Sequence, residues 1–447
     1  MALALIGLLL PGLAWWAWFG KREQEPLVSL AQILGISLAA ITLLAEMGFL
    51  LGFVFSGVTV VIALAFFAVL AAVGFARQGI KLPKKYKISV WIGLFLFGSA
   101  IAFRLYQSRN LLLPNWVDSQ HHYLIIKVII ERGGLPETLA PYLSLPFYYH
   151  YGFHAVTALF SGISGLEIGQ SILVFGQILN AAIGLSIYAL GVTLWDDWRP
   201  AAAGAILVSF ATRMPAYYLS WGRYTLMTGL VLLPLAMSFA LQLAGRSRRK
   251  RDIAALALLT AGVLLSHYFA AILLALFLVL LTLVMMVPRF GDFWRAVKDF
   301  YWVPVGAVLG FLLAAPWLWR VAQFSPGSAG VGVNLPESVE AVVEGSGRWD
   351  YIWQLLGPAS NHWLLLAAGL GVLIGMIRLK RVGFGIWSLL LGGLTLPWTF
   401  TLRPFRPDHF AIVLFLPAAL WAGYLFWQAG RWVGDRLNQG WLSLGLI

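Results

Sequence analysis

The chain has 447 residues, 60% of them hydrophobic and only 11% charged, where a soluble domain of this size carries about 25% charged residues. That leaves too little polar surface to cover a water-soluble globule. A formal net charge of +13 would point to nucleic acid in a soluble protein, but here the basic residues sit in short loops between apolar runs, so the charge reports membrane topology and some attraction to anionic headgroups, and nucleic acid is not an expected partner.

In chain order, apolar runs long enough to cross a hydrocarbon core of about 30 Å predict an all-α, polytopic protein of the plasma membrane with about thirteen transmembrane helices. They lie near 3–19, 28–48, 56–76, 88–107, 168–194, 200–213, 226–244, 252–266, 268–287, 301–320, 362–378, 383–399 and 410–428. The first run has no basic n-region and no small-residue cleavage site, and Lys21 and Arg22 follow it, so it reads as a retained helix starting outside. Residues 1–87 form an N-terminal three-helix membrane segment and 88–447 the main region. Glu46 lies inside an apolar run, where an ionisable group is costly and often functional, but the sequence names no partner for it. The chain has no cysteine, which excludes disulfides and thiolate metal sites.

The densest basic loops fix the cytoplasmic side: Arg77 to Lys87, Arg246 to Arg251, Arg378 to Arg381, and the tail with Arg431 and Arg436. All four share one side only if the apolar segment Phe147–Ile163 does not cross. It is therefore expected as a juxtamembrane helix lying along the outer interface, its aromatic start suited to that depth. Two long outer loops result, about 108–167 and 321–361. All seven histidines, 121, 122, 150, 154, 267, 362 and 409, fall on the outer side, whereas Asp196 and Asp197 fall on the cytoplasmic side and are set aside.

Four constellations carry chemistry. In Asn115–His122, Asp118 shares a helical face with His121 and His122, and a carboxylate there can act as general base toward an acceptor hydroxyl or amine. Equally, it can cap the helix. In Glu131–His154, Gly133-Gly134-Leu135-Pro136 ends a helix and turns the chain. The i, i+4 spacing of His150 and His154 is compatible with a divalent metal, but no DxD-type acidic pair accompanies it, and both also read as interface residues bonded to lipid or loop. No metal ligand and no cofactor is assigned, and a divalent metal stays the alternative reading of this pair.

In Arg213–Tyr224, arginines flanked by Tyr217 and Trp221 suit phosphate capture with stacking of a sugar or prenyl chain, or an aromatic belt with a snorkelling arginine. In Thr401–His409, Arg403 and Arg406 sit between prolines beside His409. They suit a lipid phosphate, or one of them pairs with Asp408.

The stretch from Trp116 to Gly165 resembles the first-loop signature of GT-C glycosyltransferases, multi-spanning enzymes that use polyprenyl-phosphate sugars, such as protein O-mannosyltransferases and the aminoarabinose transferases of lipid A. The elements of the resemblance are Asp118, Gly134-Leu135-Pro136, and Pro146 through His154. Three helices precede the span that leads into Asp118, where familiar members have none. The resemblance implies a GT-C-like fold whose first loop covers a central cavity, with Asp118 as the catalytic acidic residue. Arg223, Arg403 or Arg406 would hold the carrier phosphate.

The expected site therefore combines Asp118, His121 and His122 as catalytic residues with Glu131, His150, His154, Tyr217, Trp221, Arg223, Arg403, Arg406 and His409 around substrate. The expected partners are a polyprenyl-phosphate-linked sugar, an acceptor that is a lipid, glycan or protein, and membrane lipids. The rival reading is a transporter or flippase, which would need mid-membrane charges or internal repeats; here only Glu46 qualifies.

Overall fold

The computed structural model describes residues 1–21, 24–79, 87–245, 249–324, 349–357, 359–376, 379–396 and 406–436. Arg403, Lys81, Lys84, Lys85, Arg246, Arg248 and most of the second outer loop, including Glu337, Glu340, Glu344 and Arg348, lie outside the described residues.

The described chain is helical: α1 (Ala2–Phe19), α2 (Pro26–Leu50), α3 (Gly57–Gln78), α4 (Lys87–Gln107), α5 (Val117–Arg132), α6 (Gly152–Ser164), α7 (Ile168–Trp195), α8 (Trp198–Ile206), α9 (Tyr224–Ala244), α10 (Lys250–Ser266), α11 (Tyr268–Met286), α12 (Phe293–Phe300), α13 (Trp302–Phe324), α14 (Trp349–Leu356), α15 (Ala359–Gly375), α16 (Leu379–Leu394), α17 (Pro407–Ala411) and α18 (Phe415–Arg436). Among the described residues nine helices are long and apolar enough to cross a membrane, or ten if α14 and α15, bent by 87° to one another, are one broken span. The chain is a multi-pass membrane protein. The expected thirteen is not reached by that measure because α8, α10 and α16 have only 9, 17 and 16 residues.

α7 and α9 are apolar around their whole circumference and are enclosed by other helices. α2 packs with them and with α10 in the interior. Where helices cross most closely the residues are small: a Cβ on Gly423 of α18 would lie 2.6 Å from the Gly204 nitrogen of α8, the close backbone approach that membrane helices use in place of a hydrophobic drive.

α6 differs from its expected place. It begins after the aromatic run 147–151, and Phe153, His154, Val156 and Phe160 are fully buried. The helix packs among α1, α2, α5, α7, α9 and α10 instead of lying on the surface. A helix with apolar residues on most of its circumference gains more from protein on every side than from one face in lipid.

The loop that delivers α6 is held by the C-terminal end of α13. Arg320 donates to the carbonyls of Phe147 (2.8 Å) and Glu137 (2.6 Å), and Trp317 Nε1 donates to the Tyr149 carbonyl (3.2 Å). Glu46 supplies the third contact. Its carboxylate accepts from the Trp317 backbone N–H (3.0 Å), next to Pro316, and from Tyr151 Oη (3.4 Å). Glu46 thus has its partners, and they bind α2, α13 and the first loop together. Replacing Glu46 with Ala strands the Trp317 N–H and should lower stability by about 1–3 kcal/mol. Glu46→Gln keeps an acceptor and should lose less. Thermal unfolding in detergent compares the two, and equal losses would contradict this account.

Candidate active site

Trp116, at φ +76, turns the chain into α5 and occupies the cap position without a side-chain cap bond. Asp118 is the second residue of the helix, so the capping alternative is not realised; the carboxylate is left facing outward in the first turn, where the helix dipole favours it. There it meets Arg223, 4.0 Å from Oδ2, with both side chains about 40% exposed (43% and 41%).

Arg223 stands at the end of an irregular segment built to place it. The 3₁₀ turn Ala216–Trp221 ends at Gly222, which lies at φ +61. α7 holds the segment through Asn180 Nδ2 on the Pro215 carbonyl (2.8 Å), and Asn361 Oδ1 accepts from the Arg213 N–H (2.9 Å). On the other side, Tyr218 Oη donates to the Ile412 carbonyl (2.7 Å). Tyr217 and Trp221 meet edge to face at 5.0 Å, and the Arg213 guanidinium lies 4.1 Å above Tyr217 while donating to the Gln354 carbonyl.

Beneath the ion pair lies a layer of histidines. His122 Nδ1 is 2.9 Å from His154 Nε2, and His122 Nε2 is 3.0 Å from the Gly222 carbonyl. The His150 ring is 4.8 Å from that of His267, and both of its buried nitrogens lack a hydrogen-bond partner among the described residues. His267 breaks the chain between α10 and α11 and caps α11 by accepting from the Phe269 N–H (3.2 Å). Burial drives His122 down to about 4 and His267 to about 3, and holds His150 and His154 well below the usual histidine range. These imidazoles are neutral at pH 7, so the positive charge of the site is guanidinium.

Arg406 is committed elsewhere. It makes a two-point pair with Asp408, at 3.1 and 2.9 Å, as the second reading of that motif expected. His409 packs its ring 5.8 Å from Phe269 and feels the charges of Asp408, Arg406 and Arg223. Tyr351 of α14 lies in the field of Asp408, Arg406 and Arg223.

The structure therefore gathers Asp118, His122, His150, His154, Tyr217, Trp221, Arg223, Arg406 and His409. His121 is on the exposed face of α5 and does not join His122. Glu131 sits at the other end of α5, about 20 Å away at 1.5 Å per residue, bonded to Tyr142 Oη (2.9 Å) and near Lys127 (4.0 Å). Sequence reasoning missed His267, Tyr351 and Gly222. A histidine interrupting two apolar runs was the available signal for the first, and nothing local marked the other two. Among the described residues no three His, Asp or Glu side chains converge as metal ligands.

A family profile matches residues 5–402. The chain belongs to DUF6541, a family of unknown function. No curated protein matches it in sequence. Its fold is similar to that of the Archaeoglobus fulgidus oligosaccharyltransferase. The apo form aligns at a TM-score of 0.51 and 12% identity over 79% of this chain and 51% of that one. The complex with Zn and sulfate aligns at 0.52 and 13% over 78% and 50%. The archaeal oligosaccharyltransferase AglB from Archaeoglobus fulgidus, in complex with an inhibitory peptide and a dolichol-phosphate, aligns at 0.50 and 13% over 79% and 51%. The chain spans about half the length of these structures, and at this identity the likeness is one of fold. It is the GT-C fold that the first-loop signature implied.

Two outcomes test this geometry. Unfolded histidines take up a proton near pH 6.5, while the folded protein keeps His122 neutral down to about 4. Between those values the unfolded state binds more protons, so stability is lost as pH falls from about 6.5 toward 4. The melting temperature in detergent should drop across that window, and His154→Gln should flatten the drop; a pH-independent melting point would contradict the burial argument. At Gly222 a Cβ would lie 2.7 Å from Ser119 Oγ in a backbone conformation that favours glycine. Gly222→Ala should cost about 1–2 kcal/mol, read as a lower melting temperature.

Proposed function

We propose that this protein is a membrane glycosyltransferase that moves a sugar from a polyprenyl-phosphate donor to an acceptor at the extracytoplasmic face. The observation that carries the reading is the juxtaposition of Asp118 and Arg223. They come from separate elements and stand 4.0 Å apart, partly exposed above a layer of neutral buried histidines. A carboxylate beside a guanidinium is suited to two substrates at once. Asp118 accepts the proton of, or orients, the acceptor nucleophile. Arg223 offers paired N–H donors to the carrier phosphate, whose negative charge grows as the bond to the sugar breaks. Tyr217 and Trp221 beside it offer apolar faces for a sugar ring or prenyl chain.

Arg406 is engaged by Asp408, so phosphate capture rests on Arg223 among the described arginines of the site. The likeness in fold to a protein captured with a dolichol-phosphate supports a donor that arrives within the bilayer. The outer placement is supported by the positive-inside rule, which puts the basic loops on the opposite side when α8 and its continuation Leu207–Ala211 count as a span.

The test is transfer of labelled sugar from polyprenyl phosphate by the purified protein in detergent. Asp118→Asn should lower turnover by about 10²–10⁴-fold, the usual worth of general base catalysis. Arg223→Ala should raise the donor KM by about tenfold or more, with Arg223→Lys intermediate because an ammonium cannot make the two-point contact. Undiminished transfer by Asp118→Asn would sink the catalytic assignment, and no transfer by wild type from any polyprenyl-phosphate sugar would sink the function.

A further inference from the structure

His122 lies one helical turn beyond Asp118 on the same face of α5, and its Nε2 reaches the carbonyl of Gly222, the residue before Arg223. A backbone carbonyl only accepts, so Nε2 carries the proton. In the neutral ring Nδ1 is then bare, and the nitrogen that faces it at 2.9 Å, His154 Nε2, must be the donor. The order of donation is fixed along the whole line: His154 to His122 to Gly222. Among the described residues His122 has no further hydrogen-bond partner. It is 3% exposed, with the rings of Phe153 and Tyr224 edge-on at 5.7 and 5.9 Å.

We propose that His122 is a positioning residue, which sets the distance between Asp118 and Arg223 by holding the Gly222 turn to α5, with His154 locking the tautomer that makes the bond. The proposal rests on the glycosyltransferase reading for its consequence in substrate binding, and on geometry alone for the tautomer. It also revises the part expected of His122. With both nitrogens occupied inside the protein, the ring touches neither donor nor acceptor. Its effect on chemistry passes through Arg223.

A side chain that merely filled space would be replaced by another of similar size. Phe at 122 keeps the ring and loses both bonds; Gln keeps an amide N–H close to where Nε2 stands. His122→Phe should weaken binding of a polyprenyl phosphate by about tenfold and raise the donor KM more than it lowers kcat, because the group misplaced is the one that grips the phosphate. His122→Gln should recover most of that loss. Nitrogen-15 spectra of histidine-labelled wild type at pH 7 should show His122 as the neutral Nε2–H tautomer, and His154→Phe should shift the His122 Nδ1 resonance, which loses its donor, while the Nε2–H stays.

A protonated or Nδ1–H His122 overturns the proposal. So does a folded His122→Phe, of wild-type melting temperature, that binds the polyprenyl phosphate as tightly as wild type. A wild type that binds no polyprenyl phosphate overturns the functional reading instead. The tautomer spectra, with a structure of His122→Phe, then decide the positioning role: Arg223 moved away from Asp118 supports it, and an unchanged 4.0 Å pair overturns it.

Discussion

Lipid offers no hydrogen-bond partner, so every polar group this chain takes into the hydrocarbon or into its own interior is best matched from within the protein. That constraint accounts for the division of the molecule. The spans close their backbone bonds within themselves, and two irregular segments, 133–151 and 212–223, are satisfied by other elements. Arg320, Trp317 and Glu46 do so for the first segment, and Asn180, Asn361 and Tyr218 for the second.

The candidate site forms where those two irregular segments meet. Each brings what a helix interior would not tolerate. The first delivers His150 and leads into His154 on α6; the second delivers an arginine directly after a left-handed turn. A neutral layer below and an ion pair above give a site with a defined electrostatic floor: histidines that hold position without adding charge, and one guanidinium whose field reaches His267, His409 and Tyr351. On the proposed reading, the anionic headgroup would take the place of Asp118 beside Arg223, a pair that stands 4.0 Å apart and partly exposed.

The comparison with the archaeal oligosaccharyltransferase fits this picture at the level of architecture. Two chains with 12% identity share little side-chain chemistry by descent that can be read directly. They share an arrangement of helices, and the reading of what happens at the candidate site rests on this chain's own residues.

The amino-acid sequence alone determined the solvent and the fold class, because hydrophobic run length is a local property that the bilayer thickness reads directly. It also determined that Gly133 ends α5 and that Asp118 stands at the start of a helix. Tertiary structure decided the partnerships. His121 and His122 are neighbours in sequence with opposite fates, since one faces out of α5 and the other faces α6 and Gly222, a hundred residues away. Glu46 had no partner in its own run, because its partners are on α13 and beside α6. Arg406 and Arg223 look equivalent as outer arginines, and only the fold shows that Asp408 claims one and leaves the other to Asp118. The period of a helix shows which residues share a face, but not what that face will meet.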